Sequence, residues 1–137
     1  MKEFSLNLEN IHILIKELID IAKDGNIIFL LRGDLASGKT TLVKEYVRFF
    51  YPEEEVTSPT FSIQHQYGNI FHYDFYNHSL EKLLNLGLLE WVENNGIHFI
   101  EWGNESLEKI LKANGYNICV IEICKLNNNR TYRINNG

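Results

Sequence analysis

The clearest chemical signal lies in four residues, Gly33, Gly38, Lys39 and Thr40, within Gly-Asp-Leu-Ala-Ser-Gly-Lys-Thr at positions 33–40. Their spacing matches G-x-x-x-x-G-K-[ST], the P-loop that binds nucleotide phosphates. Glycines at the first and sixth positions let the backbone curl, so that successive N–H groups and a helix N-terminus face the anion. The lysine can reach the β- and γ-phosphates, and the threonine hydroxyl can bind Mg²⁺. The predicted nucleotide-binding residues are Gly33, Asp34, Leu35, Ala36, Ser37, Gly38, Lys39, Thr40 and Thr41.

The segments on either side of this loop have the character that a P-loop needs. Residues 27–31 are an uninterrupted apolar run, as expected of a buried parallel strand. Residues 41–50 carry apolar side chains at helical spacing, at positions 42, 43, 46, 47 and 50. Strand, loop and helix follow one another, and this order favours nucleotide binding over a chance match in a structural turn.

Hydrolysis or transfer of a phosphate also needs an acidic residue near Mg²⁺ and a group that senses the γ-phosphate. Asp74 and Glu101 each follow an apolar run, at the strand end where ligands bind in open α/β sheets. Hydroxyl residues at 57, 58 and 60 come about twenty residues after Lys39, roughly where nucleotide switches carry a threonine. The candidate catalytic residues are therefore Asp74, Glu101 and Thr60.

Two further interpretations concern residues beside these acids. His72 and Asp74 share a strand face, with His78 beyond them, which would suit a transition metal, but no fourth ligand has convincing spacing. Trp102 adjoins Glu101, although an isolated tryptophan is more often a core or surface residue.

The remaining pattern predicts a small α/β domain, similar to P-loop NTPases, with a mixed, mainly parallel sheet flanked by helices. Helices are predicted at 7–24, from Ser79 onward and at 106–113, the last two with serine N-caps. Strands are predicted at 61–67 and 70–75 with a turn at 68–69, at 96–101 and 116–125, with 130–134 pairing back. We expect residues 1–137 to form a single P-loop ATPase domain.

Composition narrows the range of partners. The formal net charge is −5, and the 13 lysines and arginines form no basic run. This distribution argues against autonomous binding to nucleic acid or to an anionic membrane. No segment is apolar enough to span a bilayer, and the N-terminus has no signal-peptide pattern. The sequence therefore predicts a cytoplasmic protein.

Taken together, four segments resemble the ordered motifs of the TsaE (YjeE) family. They are Gly-Asp-Leu-Ala-Ser-Gly-Lys-Thr-Thr at 33–41, Ser-Pro-Thr-Phe at 58–61, His-Tyr-Asp-Phe-Tyr at 72–76 and Ile-Glu-Trp at 100–102. The resemblance covers roughly residues 25–105. It implies a P-loop ATPase that takes part in bacterial synthesis of threonylcarbamoyladenosine at position 37 of tRNA.

The resemblance also implies roles for particular residues and for partners. Lys39 would contact the phosphates, Mg²⁺ would lie near Thr40 and Glu101, residues 57–60 would form a switch, and Asp74 would be functional. The family acts with a glycoprotease-like subunit that transfers the threonylcarbamoyl group and with that subunit's inactive paralogue.

Three positions depart from the family pattern, which has glycine, arginine and proline where this chain has Ala36, Asn77 and Gly103. Without an obvious arginine finger, since Arg32 enters the loop and Arg48 ends its helix, we expect slow hydrolysis by the protein alone. Two alternatives remain at this stage. One is a small-molecule kinase, although no lid with paired arginines is present, and the other is a nucleotide-dependent interaction module with negligible hydrolysis.

Overall fold

The computed structural model describes residues 1–34, 37–59 and 62–136, in which one seven-stranded sheet lies between two layers of helices. The order of strands across the sheet is β1-β7-β6-β2-β5-β4-β3. Their bounds are β1 Lys2–Leu6, β2 Ile27–Arg32, β3 Gln64–Tyr67, β4 Ile70–Asp74, β5 Ile97–Glu101, β6 Ile118–Leu126 and β7 Asn129–Asn136.

The centre of the sheet is parallel and its margins are antiparallel. β2 pairs with β5 and β6 in parallel, and β4 pairs with β5 in parallel. β1–β7, β6–β7 and β3–β4 are antiparallel pairs. All five residues of β4 and of β5 are buried, which explains why apolar and polar residues do not alternate strictly along these strands.

Alternate side chains of the strands contact different helices. α1 (His12–Ile21) and α2 (Lys39–Phe50) pack on one face with residues such as Phe29, Phe99 and Ile121. α3 (Leu80–Leu86), α4 (Leu88–Val92) and α5 (Glu105–Ala113) pack on the other face with residues such as Leu30 and Tyr73. The face of α1 and α2 is the one that bears the polar residues described below.

The structure confirms the α/β class with a mixed sheet flanked by helices, and it corrects several local predictions. The first helix is shorter than 7–24, because a 3₁₀ turn capped by Asn7 precedes α1. Asn104, and not Ser106, caps α5, since its side chain accepts the N–H of Leu107 at 2.9 Å. The sequence pattern predicts neither β1 nor α4. Among the described residues, no helix is long and apolar enough to cross a membrane.

This topology determines what can lie beside the loop after β2. Because β4, β2, β5 and β6 run in the same direction, their carboxyl ends share one edge of the sheet. β5 and β4 lie on one side of β2, and β6 and β7 lie on the other. Residues remote from one another in sequence therefore border the same loop.

Candidate nucleotide-binding site

The loop between β2 and α2 depends on two glycines, for different reasons. Gly38 has a φ of 108°, in the left-handed region that side chains other than glycine rarely adopt. A Cβ at Gly33 would lie only 2.5 Å from the backbone oxygen of Ile123 on β6, so the close approach of these two backbone segments requires glycine. Leu35 and Ala36, which the sequence assigns to nucleotide binding, lie outside the described residues.

The Lys39 side chain curves back over this loop. Its ammonium donates to the carbonyl oxygens of Gly33 at 2.8 Å and Asp34 at 2.9 Å. It also lies 4.0 Å from the centre of the Trp102 ring, a cation–π distance. Burial lowers the pKa of Lys39, and the nearby carboxylates of Glu101, Asp74 and Asp34 oppose that shift. The ammonium is thus held at the centre of the loop by oxygens and an aromatic face.

Glu101 connects the end of β5 to the start of α2. The hydroxyl of Thr40 donates to Glu101 Oε2 at 2.8 Å, and His72 Nε2 donates to the same oxygen at 2.5 Å. Only 4% of Glu101 is exposed to solvent, and His72 is fully buried. The two residues predicted to hold Mg²⁺, Thr40 and Glu101, are therefore in direct contact.

Asp74 lies next to Glu101, since the two residues are Cα partners at the ends of β4 and β5. Its Oδ1 accepts the backbone N–H of Tyr76 at 3.0 Å. Its Oδ2 accepts the hydroxyl of Ser58 at 3.2 Å. Asp74 therefore contacts the predicted switch segment directly, whereas Thr60 of that segment lies outside the described residues.

Trp102 and Tyr76 cover the loop on the side of the acids. Trp102 has a φ of 67°, an uncommon backbone conformation for a bulky residue. This turn places its ring against Lys39, and the Tyr76 ring packs on it with centroids 4.9 Å apart. The uncommon backbone conformation thus brings the Trp102 ring over the loop. Trp102 is therefore part of the candidate site as well as a neighbour of the core.

These side chains surround a cavity of about 380 Å³. Its lining residues are Ser37, Gly38, Lys39, Thr40, Thr41, Ser58, Asp74, Tyr76, Glu101, Trp102 and Arg130. A second cavity, of about 690 Å³, borders the loop at Gly33, Asp34 and Ser37 and extends along β6 and β7. The loop is thus accessible from both sides of β2.

Arg130 is the residue of this site that sequence reasoning missed. It is the second residue of β7, and its Nε donates to the carbonyl oxygen of Ser37 in the loop at 2.6 Å. Arg32, Arg48 and Arg133 each pair with a glutamate: Glu108, Glu45 and Glu3. Arg130 pairs with no carboxylate among the described residues. We call β4 and β5 with Asp74 and Glu101 the acidic flank, and β6 and β7 with Arg130 the arginine flank.

The structure gives physical context to the departures at Asn77 and Gly103. Asn77 has a φ of 60°, a conformation that asparagine adopts more readily than arginine does. A Cβ at Gly103 would lie 2.8 Å from Leu30 Cδ2, so a larger residue there would have to displace that side chain. No group of three or more His, Cys, Asp or Glu side chains suited to a metal occurs within residues 1–34, 37–59 and 62–136, His78 included.

Comparison with known proteins identifies relatives along most of the chain. A family model described as "Threonylcarbamoyl adenosine biosynthesis protein TsaE" matches residues 6–132. A protein of Bacillus subtilis (strain 168), named tRNA threonylcarbamoyladenosine biosynthesis protein TsaE, is 30% identical over 127 residues, which are 84% of this chain and 79% of that protein.

Other relatives with the same name match over shorter stretches. The protein of Treponema pallidum (strain Nichols) is 37% identical over 61% of this chain, and that of Rickettsia conorii (strain ATCC VR-613 / Malish 7) is 40% identical over 56%. These alignments span 64% and 47% of the two relatives' own lengths. The fold matches the crystal structure of Bacillus subtilis YdiB with a TM-score of 0.58 at 20% identity, covering 99% of this chain and 87% of that one.

Proposed function

The chain belongs to the TsaE family, and we propose that residues 1–137 form one P-loop domain that binds ATP and hydrolyses it slowly. We further propose that it assists the complex that forms threonylcarbamoyladenosine at position 37 of tRNA. The observation that carries the proposal is the contact between Thr40 and Glu101, because it joins the phosphate-binding loop to an acid at the end of a neighbouring strand. A structural turn that only resembles a phosphate-binding loop would not need that contact.

The phosphates would lie against the loop and the first turn of α2. Lys39 would exchange its contacts with the carbonyl oxygens of Gly33 and Asp34 for contacts with phosphate oxygens. Gly38 places the N-terminus of the twelve-residue helix α2 at the cavity, where backbone N–H groups stabilise an anion. This arrangement favours a nucleotide polyphosphate as the ligand.

Glu101 of the acidic flank and Thr40 at the start of α2 together fit Mg²⁺. Thr40 and Glu101 supply a hydroxyl and a carboxylate, which are hard oxygen donors, only 2.8 Å apart. Mg²⁺ commonly uses one or two protein carboxylates together with phosphate oxygens and water, so few protein ligands are needed. When bound, the ion would neutralise charge that develops on the phosphates during hydrolysis. Asp74, adjacent to Glu101, would orient the attacking water or pass the state of the γ-phosphate to Ser58.

The nucleoside end would lie toward the arginine flank. The metal and the terminal phosphate belong with Glu101 and Asp74, so the other end of the nucleotide extends toward β6 and β7. Arg130 would there contact the α-phosphate or stack on the ribose and base, for which a planar guanidinium is suited.

The proposed partners are a glycoprotease-like subunit that transfers the threonylcarbamoyl group and its inactive paralogue. Support comes from family membership and from the switch segment, since Ser58 is exposed yet hydrogen-bonded to Asp74 in the site. A change at the γ-phosphate could therefore reach the surface of the protein through one hydrogen bond.

A phosphate-release assay tests the proposal. The purified protein is measured with ATP and Mg²⁺ alone, and then with both proposed partners. We expect slow turnover alone and faster turnover with the partners. Binding of ATP without hydrolysis in either sample would favour an interaction module, and phosphate transfer to an added small acceptor would favour a kinase.

A further inference from the structure

His72 occupies an unusual position for a buried histidine. It lies in the middle of β4, is fully buried, and faces α2 with Ile70, Phe99 and other apolar residues of that layer. Its Nε2 donates to Glu101 Oε2 at 2.5 Å. Its Nδ1 is buried and has no hydrogen-bond partner among the described residues.

Because only one ring nitrogen has a partner within the described part of the chain, the hydrogen bond to Glu101 is what explains a histidine at this buried position. A buried polar atom without a partner is costly, and an apolar ring of similar shape would avoid that cost. Phe99, the Cα partner of His72 on β5, shows that this layer accommodates a phenyl ring. Packing alone would therefore be served better by phenylalanine at position 72.

The second buried histidine of the central strands provides the contrast. His98 lies on the opposite face of the sheet, where Nδ1 contacts the Tyr73 hydroxyl at 2.9 Å and Nε2 contacts the Asn94 carbonyl oxygen at 2.8 Å. Both of its nitrogens are satisfied, and neither contact involves a described residue of the nucleotide site. His98 is a structural residue, and it serves as a control for His72.

Two donors converge on one oxygen of Glu101. Thr40 and His72 both donate to Oε2, so the carboxylate is anchored through a single oxygen and from two directions. Oε1 has no hydrogen-bond partner among the described residues, and Glu101 lines the cavity. Of the two anchors, only His72 is independent of Mg²⁺, because Thr40 is itself a proposed ligand.

We propose that His72 is a positioning residue that fixes the Glu101 carboxylate so that Oε1 is directed at Mg²⁺ in the nucleotide complex. The proposal rests on the magnesium site of the proposed function. Without the imidazole, Glu101 would keep its charge but would lose its fixed orientation when Thr40 turns to the metal. The consequence is a weaker metal site with an unaltered phosphate site.

Metal binding to the ADP complex tests this role without relying on hydrolysis. Mn²⁺ replaces Mg²⁺, its affinity is measured by electron paramagnetic resonance, and ADP affinity in EDTA is measured by calorimetry. His72→Asn has a side chain too short to reach Glu101, whereas His72→Gln carries an amide nitrogen near the position of Nε2. His98→Asn controls for the loss of a buried histidine.

We expect His72→Asn to weaken Mn²⁺ binding to the ADP complex by about 10- to 100-fold, the range typical of groups that orient a metal ligand. His72→Gln should restore most of that affinity. ADP binding in EDTA should match the wild type in both variants, and His98→Asn should change neither affinity.

Three results would overturn the proposal. One is wild-type Mn²⁺ affinity in His72→Asn, and another is an equal loss of ADP binding in EDTA, which would indicate a structural role. The third is a glutamine variant that fails to fold or binds Mn²⁺ no better than the asparagine variant. If the wild-type ADP complex itself binds no Mn²⁺, the proposed magnesium site fails first, and this outcome is distinct from the others.

Discussion

The two flanks of the loop between β2 and α2 differ in charge, burial and connection to the rest of the chain. The acidic flank presents Asp74 and Glu101, which are 8% and 4% exposed and adjacent in register. The arginine flank presents Arg130, which is partly exposed and hydrogen-bonded to the loop backbone at Ser37. One flank therefore carries two buried carboxylates, and the other carries a guanidinium.

Under the proposed function, this difference predicts that the two flanks contact different parts of the nucleotide. Groups on the acidic flank should act where a metal and the terminal phosphate lie, so their effects should depend on Mg²⁺. Arg130 should act on the remainder of the nucleotide, and its effect should persist without metal. Lys39 lies between the flanks and should matter under both conditions.

Lys39→Ala should have the largest effect on binding. Loss of the ammonium removes a charge-assisted phosphate contact, which should cost about 2–4 kcal/mol, or roughly 30- to 1,000-fold in the dissociation constant for ATP. Calorimetry with ATP and Mg²⁺ measures the change. Lys44→Ala, an exposed lysine of the same helix, is the control and should bind like the wild type. An unchanged affinity in Lys39→Ala would remove the basis for the phosphate site.

Glu101→Gln should separate metal binding from nucleotide binding. The amide oxygen can still accept from Thr40 and His72, but the negative charge that attracts Mg²⁺ is gone. We expect hydrolysis with Mg²⁺ to fall by about 10- to 100-fold, while ADP affinity in EDTA stays the same. Phosphate release and calorimetry measure the two quantities, with the exposed Glu93→Gln as the control. Equal hydrolysis by both variants would place the metal elsewhere.

Arg130→Ala should weaken ADP binding by about 10-fold, because one charge-assisted contact is lost. In contrast to Glu101→Gln, the loss should be the same with Mg²⁺ and in EDTA. The control is Arg48→Ala, at the far end of α2, where the arginine pairs with Glu45. A loss confined to solutions with Mg²⁺ would mean that Arg130 belongs with the acidic flank.

His98 should contribute a small pH dependence of stability that is independent of the site. Burial lowers the pKa of His98 in the folded protein, although its bond to Asn94 opposes the shift. At a pH below about 6.5, the ordinary pKa of histidine, the unfolded chain therefore binds more protons than the folded protein. The free energy of unfolding falls as the pH drops through that value, by at most about 1.4 kcal/mol per pH unit.

Replacing His98 with phenylalanine should reduce this slope, as measured by urea unfolding at several pH values between 5 and 8. The exposed His12→Gln is the control and should keep the wild-type slope. A slope that is identical in His98→Phe and the wild type would show that another group titrates in this range.

The acidic flank can be predicted from the sequence and the arginine flank cannot. The reason is that the first depends on local sequence patterns and the second on pairing between distant strands. Asp74 and Glu101 end largely apolar runs, so the local pattern alone predicts each at the edge of a parallel sheet. Arg130 follows a polar turn, and it reaches the loop only because β6 pairs with β2 and β7 folds back on β6. The order of strands was not readable from the pattern.

The contact between His72 and Glu101 could not be predicted from the sequence for the same reason. The two residues are 29 positions apart, and only the parallel register of β4 and β5 brings them together on one face. The signal that could have found His72 is its offset of two residues from Asp74, which puts both on the same side of a strand. From the sequence, that offset raises only a transition-metal site, which lacks a fourth ligand, whereas the structure shows a hydrogen bond to the neighbouring acid.

The most direct test of the central claim is the level of threonylcarbamoyladenosine in tRNA from bacteria depleted of their own TsaE protein. Strains carry this chain as the wild type, as Lys39→Ala or as Lys44→Ala, and nucleosides are measured by mass spectrometry. The account predicts that the wild type and Lys44→Ala restore the modified nucleoside and that Lys39→Ala does not. Full restoration by Lys39→Ala, or none by the wild type at matched expression, would contradict it.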